Sequence, residues 1–460
     1  MTNVAVVKAP QTRRWNSLQL LKGGRAAILL LDVLLLIAVV TGAGVHRDAM
    51  QAVGKDTAPS IIAAQKIKSA MADMDANAAN QLLAAPGSAT PAAALYEQRR
   101  IEASKALVEA AKNITYGATE QTPIETLQVT GGTYQRLIQQ AIDFHDANDP
   151  NQPDMGVRYY RHAGEMMDTA LLPAADDLDK ANNTVLEQVY REASEHSTLS
   201  LWFVLLAGLL MLGTLAVLQF FLLQRMHRLL NPMLLAATAL TLWLTFYAFA
   251  SMNREADRLR VAKEDAFHSI RALSRARAVA YSANADESRY LLDPAHAADY
   301  EAEFYRKTNA LVSLPASIPL ALVTANASHG RSTPGFTGYL ADELNNITFP
   351  GERAAAIETF VTFEQYMGVD AGIRVLARSG QHDKAVALCI GSSPGQSDWA
   401  FEQFDRASAK TLEINQKAFD EAVKEGLAAV DKLELKGAVA AVLIAILAAF
   451  GLAGRIREYE

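Results

Sequence analysis

The sequence is poor in cysteine, and this limits how its domains can be held together. Cys389 is the only cysteine among 460 residues, so no disulfide can form within the chain. A lone cysteine in a helical region is more often a small buried side chain than a reactive thiol. We therefore expect side-chain packing to hold the folded parts together.

Signatures of catalysis and of metal or cofactor binding are also absent from the sequence. The nine histidines are scattered and show no HExxH spacing, and no phosphate-binding GxxxxGK[ST] loop occurs. Residues 391–395 match G-x-S-x-G, but no histidine follows Ser393, whereas an α/β-hydrolase needs one. The sequence therefore predicts no enzyme, no cofactor and no metal site.

Alternating strand-like patterns are missing, and long apolar stretches take their place. Four segments are almost free of charge: 26–45, 199–223, 233–251 and 437–454. A helix of about 20 residues crosses a hydrocarbon core of about 30 Å. These segments are predicted to be four transmembrane helices in an all-α protein. The alternative for the first is a cleaved signal peptide, although its apolar run is long and no good cleavage site follows.

Basic residues concentrate in the short segments beside the apolar stretches. Residues 1–25 carry five Lys or Arg and no acid, and the linker 224–232 and the tail 455–460 are also basic next to the spans. The arginines in the linker and the tail are Arg225, Arg228, Arg455 and Arg457. Short basic loops stay in the cytoplasm, so both termini are predicted to lie inside, with these arginines near anionic lipid.

The two long segments between the spans are acidic instead. Segment 46–198 has 13 basic and 21 acidic residues, and segment 252–436 has 21 basic and 26 acidic residues. Both are therefore predicted to be extracytoplasmic parts of a multi-pass plasma-membrane protein. The overall charge of −7 gives no indication of nucleic-acid binding.

The chain also repeats itself. Three pairs of strings recur in the same order at offsets of 209 to 233 residues: Leu-Leu at 82–83 and 291–292, Asn-Ile-Thr at 113–115 and 346–348, and LDKANNTVLE at 178–187 against FDRASAKTLE at 404–413. This pattern predicts an internal duplication that forms two tandem antiparallel helical bundles. The change of offset predicts an inserted loop at 313–338.

Helix signals divide the first long segment into pieces. The predicted helices run from the first span to Leu83 and then cover 91–113, 122–147, 155–170 and 173–223. The second long segment repeats this plan, and its last helix is predicted to run without a break over 397–454. A shift of 1–2 Å in such a continuous helix would move its membrane part by a similar amount.

Asp32 is an acid within the first predicted span. Its insertion costs at least ~2.5 kcal/mol unless it is paired or protonated. It either lies near the inner leaflet or forms a polar lock between spans, for which Gln219, Gln224 and Thr238 are the candidate partners.

Two groups outside the membrane are candidate contacts for a ligand or partner: Arg158, Tyr159, Tyr160 and Arg161, and the pair Arg271 and Arg275. Arginines four residues apart on a helix can clamp a carboxylate, and tyrosines can wall a small pocket. Solvated helix faces explain these residues equally well.

Two resemblances follow from these residues. The helix-in, helix-out plan of 46–198 and 252–436 resembles the four-helix-bundle sensor domains of bacterial chemoreceptors. The strings NITYG (113–117), PIETL (123–127), TYQRLIQQA (133–141) and LLPAADDLDKAN (171–182) are similar to GlnX-type bacterial membrane sensor proteins. The second copy departs from them: Pro350 stands where the first has Gly117, which puts a shared partner site in doubt.

The GlnX-type resemblance implies a relay from an amino-acid-binding lipoprotein outside to a serine/threonine kinase or adaptor inside. The segments predicted to be cytoplasmic are too short for a kinase, so a separate protein is expected to read the signal. The alternative is an envelope scaffold or assembly factor that does not switch. A transporter is disfavoured because four spans with one internal acid offer little for a solute pathway. A homodimer is a further expected assembly.

Overall fold

The fold was examined in a computed structural model, which describes residues 17–88, 90–114, 117–152, 154–226 and 231–458. The structure is 88% helical and contains no strand in these ranges, so the all-α prediction is confirmed. Its one isolated β-bridge joins Ser313 to Thr337.

The described residues of the first half form six α-helices: α1 (Ser17–Gln51), α2 (Ala58–Leu83), α3 (Pro91–Lys112), α4 (Ala118–Ala147), α5 (Met155–Met166) and α6 (Leu172–Met226). Two π-helical segments, Ala52–Thr57 and Met167–Leu171, connect α1 to α2 and α5 to α6. The predicted end at Leu83 is confirmed, and α6 runs without a break into the predicted second span.

Over residues 231–458, the second half forms nine α-helices: α7 (Pro232–Arg260), α8 (His268–Leu292), α9 (Ala297–Leu311), α10 (Leu320–Ser328), α11 (Tyr339–Asn345), α12 (Glu352–Arg378), α13 (His382–Cys389), α14 (Ser397–Val430) and α15 (Leu433–Arg457). A π-helical segment, Val261–Phe267, joins α7 to α8. The prediction of a loop over 313–338 was partly wrong, because α10 lies within it. Pro319 precedes the apolar run that opens α10, and proline is compatible with a helix start.

The first and third π-helical segments recur at the spacing of the sequence repeat. Ala52 and Val261, where they begin, are 209 positions apart, as are the two Leu-Leu pairs. A π-helical segment inserts an extra residue per turn and is uncommon. The shared spacing agrees with the predicted duplication, which stays a prediction.

The repeated Asn-Ile-Thr string precedes α4 in the first half and α12 in the second. In the second half, Glu352 Oε2 accepts hydrogen bonds from the backbone N–H groups of Thr348 (2.7 Å) and Phe349 (2.9 Å). In the first half, a buried glutamate, Glu120, lies in the first turn of α4, one position after the residue that the offset of 233 relates to Glu352. The repeat therefore coincides with a buried glutamate, which in the second half satisfies N–H groups before α12.

The residues divide into two compact units. One contains 1–50, 191–257 and 425–460, and the other contains 51–190 and 258–424. We call the second the sensor unit and the first the membrane unit. Aromatic residues of both long segments lie in a single hydrophobic core of the sensor unit, among them Tyr134, Tyr160, Phe304, Phe360 and Phe404. The two predicted bundles thus share one core.

The membrane unit contains the parts of the chain that were predicted to cross the bilayer. Four helical stretches are long and apolar enough to do so: Ser17–Leu83, Met155–Gln224, Pro232–Leu292 and Ser397–Arg457. Their facing sides bury a separate apolar cluster that includes Leu35, Val204, Leu244 and Ile444. These helices indicate a multi-pass membrane protein.

The prediction of an unbroken helix over 397–454 was wrong. The helix stops at Val430 and α15 restarts at Leu433. Lys432 between them has φ 57°, a left-handed conformation that a residue with a Cβ rarely adopts. Local backbone strain of this kind leaves no hydrophobic signal in the sequence, so the pattern of apolar residues did not show it.

Two glycines inside α4 offer a test of the packing. A Cβ added to Gly131 or Gly132 would meet no atom within 4 Å. Alanine is favoured over glycine in a helix by about 1 kcal/mol, so Gly131→Ala and Gly132→Ala should each raise the melting temperature of the full chain in detergent. Circular dichroism at 222 nm measures this change.

Gly156→Ala is the matched control, because its Cβ would lie 2.9 Å from the carbonyl oxygen of Ala141. This variant should lower the melting temperature. A loss of stability in both α4 variants would contradict the open space described beside that helix.

Candidate functional site

The helices α2 and α8 pack against each other in the sensor unit through faces rich in alanine. Small side chains let two helices approach closely. Buried polar groups alternate with these alanines, including Asp73, Asp75, Asn80, Glu287 and Arg289. We call this set of buried polar contacts the charged seam. Because buried polar groups need partners, each of them constrains how the two long segments fit together.

Arg289 is the centre of the charged seam, and its side chain is only 3% exposed. It forms an ion pair with Asp75 of α2, and its Nη1 donates to Asp286 and Asp168, each at 2.8 Å. Its Nε donates to the Tyr160 hydroxyl at 3.2 Å. One guanidinium from the second long segment therefore binds carboxylates from both segments.

Neighbouring groups complete this network. Tyr134 donates its hydroxyl hydrogen to Asp75 at 2.9 Å, and Lys307 pairs with Asp286 at 2.5 Å. Burial raises the pKa of both Asp75 and Asp286, although Arg289 acts in the opposite direction. Gly164 gives Arg289 room, since a Cβ there would lie 2.9 Å from its Nη2.

Arg271 and Arg275 clamp a carboxylate, as their spacing predicts, but the carboxylate belongs to the chain itself. Both donate to Asp179 Oδ2, at 2.8 and 2.6 Å, and Gln65 donates to Oδ1 at 2.7 Å. Burial opposes ionisation of Asp179, yet the hydrogen bonds from Arg271 and Gln65 outweigh it and lower the pKa of this acid. The pair therefore links α6 to α8.

The equivalent acid of the repeated string has a similar role. Asp405 lies 226 positions after Asp179, and its Oδ1 accepts hydrogen bonds from Arg277 Nη2 (2.7 Å) and the Tyr281 hydroxyl (2.6 Å). Both repeated aspartates thus bind arginines of α8.

The second predicted contact group is also mostly engaged within the chain. Tyr160 is buried, and Tyr159 stacks on Phe144 with ring centroids 5.3 Å apart. Arg161 binds Asp293 through two hydrogen bonds of 2.7 and 2.9 Å. Arg158 is exposed and has only a 4.0 Å contact to the Met155 sulfur. Of the four, Arg158 is therefore the residue best placed for an external partner.

In the membrane unit, Asp32 is 4% exposed, and its Oδ1 has no hydrogen-bond partner among the described residues. The bonds predicted from Gln219 or Thr238 are not made, because Gln219 donates to Thr238 at 2.9 Å instead. The predicted polar lock at Asp32 is thus not present with these two partners.

A different polar contact joins the helices of the membrane unit, and sequence reasoning missed it. His46 of α1 pairs through Nδ1 with Glu255 of α7, and its Nε2 lies 3.1 Å from Ser200 Oγ of α6. His46 and Glu255 are fully buried. They are 209 residues apart, which is also the offset between the two Leu-Leu pairs. This shared offset was the one sequence signal that could have predicted that they are related.

The arginines predicted to be cytoplasmic are described only in part. Arg228 lies outside the described residues, and the side chain of Arg225 in α6 is not described. Arg455 pairs with Glu458 at 2.6 Å, and Arg457 is exposed. Their predicted contacts with lipid or a partner stay predictions.

Residues 49–191 match the family described as actinobacterial sensor domain. The matched segment contains α2 to α5 and therefore Asp75, Tyr160 and the first-half side of the charged seam. The match supports a sensory role. Searches of curated proteins and of solved structures found no match.

The part of the chain that the structure describes contains no evident metal-binding cluster. There, no group of three or more His, Cys, Asp or Glu side chains is arranged to hold a metal ion. Cys389 is buried, as expected, 3.7 Å from Ser288 Oγ.

Glu287 is a second buried ionisable centre of the charged seam. It accepts hydrogen bonds from the hydroxyls of Tyr366 and Ser397, each at 2.8 Å, and from Asn284 Nδ2 at 3.2 Å. Burial, reinforced by Asp370, raises the pKa of Glu287 to about 8. The protonated form is therefore favoured in the folded protein at neutral pH.

Removal of Arg289 should strongly destabilise the sensor unit. Arg289→Ala leaves Asp75 and Asp286 buried without their guanidinium, and the loss of one partner of a buried ion pair costs about 3–5 kcal/mol. Thermal unfolding of the full chain in detergent measures the effect. Arg306→Ala is the control, because Arg306 is 66% exposed and pairs only with Glu303 three residues away. An equal melting temperature for both variants would contradict the role of Arg289.

The pKa of Glu287 predicts a pH dependence of stability. An acid whose pKa is higher in the folded than in the unfolded state stabilises the fold at low pH, and this contribution is lost as pH rises through the folded value. Between pH 5 and 8, the wild type should therefore lose stability relative to Glu287→Gln, which has no charge to bury. Melting curves at both pH values test this expectation. The control is Glu358→Gln, at an exposed site paired with Lys410, and a pH effect as large there would refute the assignment.

Proposed function

We propose that this protein is a sensory relay of the plasma membrane, in which a partner bound outside changes the packing of the membrane helices. The observation that carries the proposal is the sensor-domain match over 49–191 in a chain with four apolar helices. A sensor domain joined to several spans is suited to report an external state across a bilayer.

The common core of the sensor unit supports the orientation predicted from charge. Tyr160 of the first long segment and Phe404 of the second lie in one hydrophobic cluster. Both segments must then lie on the same side of the membrane. From their acidic composition and from the basic short segments, including Arg455 and Arg457, we infer that this side is extracytoplasmic and that both termini are cytoplasmic.

The external signal is proposed to be an amino-acid-binding lipoprotein, and the internal reader a serine/threonine kinase or adaptor. This step rests on the similarity of the strings at 113–117, 123–127, 133–141 and 171–182 to GlnX-type sensors. Arg158 is the candidate external contact, since Tyr159, Tyr160 and Arg161 are engaged within the chain.

The route of the signal is proposed to be helical. α6 contains residues of both compact units in one uninterrupted helix from Leu172 to Met226. Asp179, near its start, is fixed to Arg271 and Arg275 of α8. A partner that displaces the sensor unit would thus act on α6 through a charge-assisted contact, and interfaces of this kind shift by 1–2 Å in known switches.

Photocrosslinking from both faces tests the relay. A photoreactive amino acid at Arg158 should capture an extracytoplasmic protein, and one at Arg457 should capture a cytoplasmic kinase or adaptor, with the inside yield changing when amino acid is added. Trp202, whose side chain is 67% exposed on a membrane helix, is the control position and should capture no soluble partner.

A partner at Arg158 without any cytoplasmic partner at Arg457, under the same conditions, would contradict the relay. That outcome would instead favour an envelope scaffold. Crosslinks between two copies of the chain would report the predicted homodimer.

A further inference from the structure

A cavity of about 400 Å³ lies in the sensor unit among α2, α3 and α8. Side chains from both long segments line it, including Gln65 and Arg99 from the first and Arg277 from the second. None of the residues singled out in the sequence lines this space. Its volume falls within the range of small-molecule sites.

Two arginines of the cavity are held in place by acids. Arg99 pairs through Nε with Asp73 and through Nη1 with Glu102 at 2.8 Å. Arg277 binds Asp405 through Nε at 3.0 Å and Nη2 at 2.7 Å. These bonds leave Arg99 Nη2 and Arg277 Nη1 without a partner in the described part of the chain. The two guanidinium groups are therefore oriented in advance and retain donors for an anion.

Two lysines add positive charge at the edge of the cavity. Lys66 of α2 and Lys105 of α3 line it, are exposed, and form no ion pair within the described residues. The full lining has four basic and three acidic side chains. Asp73 and Glu102 are bound to Arg99, and Asp405 is bound to Arg277, so Lys66, Lys105 and Glu109 are the charged groups of the lining without an ion pair in the described residues. These three groups carry one more positive than negative charge.

A buried acceptor completes the arrangement. Gln65 is 3% exposed and donates its Nε2 to Asp179 at 2.7 Å, but its Oε1 has no partner among the residues described. A buried amide oxygen without a hydrogen bond is unfavourable by about 1–3 kcal/mol. A ligand with a hydroxyl or ammonium group would remove this cost.

From this geometry we infer that the cavity binds a small organic acid, with its carboxylate on Arg99 and Arg277 and a hydroxyl or ammonium donor on Gln65. The paired state of Asp73 disfavours a simple cation. The inference goes beyond the proposed relay, because binding to the purified chain requires no partner.

Cysteine protection on the full chain in detergent tests this site. Ser69 lines the cavity and is half-buried, so the cysteine in Ser69→Cys should react with a maleimide. Malate or glutamate should slow this reaction at least threefold. Ser379→Cys, at an exposed site outside the cavity, is the control and should react at an unchanged rate. The native Cys389 is buried and should contribute little.

Three comparisons make the result decisive. Succinate lacks the hydroxyl of malate. The concentration of succinate needed to protect the cysteine should therefore be at least tenfold higher than that of malate. In the double variant Lys66→Glu/Lys105→Glu, the malate concentration needed for protection should rise at least tenfold. The control is Lys112→Glu, which lies two turns further along α3 and outside the cavity. It should change this concentration less than twofold.

The inference is overturned if neither malate nor glutamate protects the Ser69→Cys site, or if Ser379→Cys is protected equally. It is also overturned if putrescine protects instead, since that would identify a cation site. Equal protection by succinate would remove the role given to Gln65. If the proposed relay proved wrong, the expected results of these binding experiments would be unchanged.

Discussion

The burial of one arginine among carboxylates of both long segments is the interaction on which the sensor unit depends. Arg289 is buried against Asp75 and Asp286, and removal of either side of these pairs leaves a buried charge that has lost a partner. Because Asp75 and Arg289 come from different halves of the chain, satisfying their charges requires the halves to fold together. The common aromatic core and the ion pairs of Asp179 with Arg271 and Arg275 also require the two halves to fold together.

This constraint changes how the charged residues singled out in the sequence are interpreted, because most of them bind acids of the chain itself. Arg161, Arg271 and Arg275 hold internal acids, so they position helices and leave Arg158 as the exposed member of the candidate set. In the proposed relay, a unit fixed in this way would transmit a displacement through α6. The cavity beside Arg99 and Arg277 offers a second way to act on the same helices, since a ligand there would contact α2, α3 and α8.

The sequence was sufficient for local structure and insufficient for distant contacts. Apolar length predicted the four spans, and local helix signals predicted the end of α2 at Leu83, because both depend on neighbouring residues. The partner of Arg271 lies 92 positions away, and that of Arg289 lies 214 positions away. The spacing of arginines along a helix predicts that they bind a carboxylate, but it does not identify the residue that supplies it. The break at Lys432 and the contact of His46 with Glu255 likewise depend on tertiary packing.

Hydrogen exchange of an Asp75→Asn variant tests the joint folding of the two halves most directly. This variant removes the charge of an acid in the first half while nearly preserving its shape. If the halves form one unit, amides of both Ala58–Leu83 and His268–Leu292 should lose protection together, because Arg289 loses the charged partner that α2 supplies. Loss of protection confined to Ala58–Leu83, with His268–Leu292 unchanged, would show that the two bundles fold separately and would contradict this account.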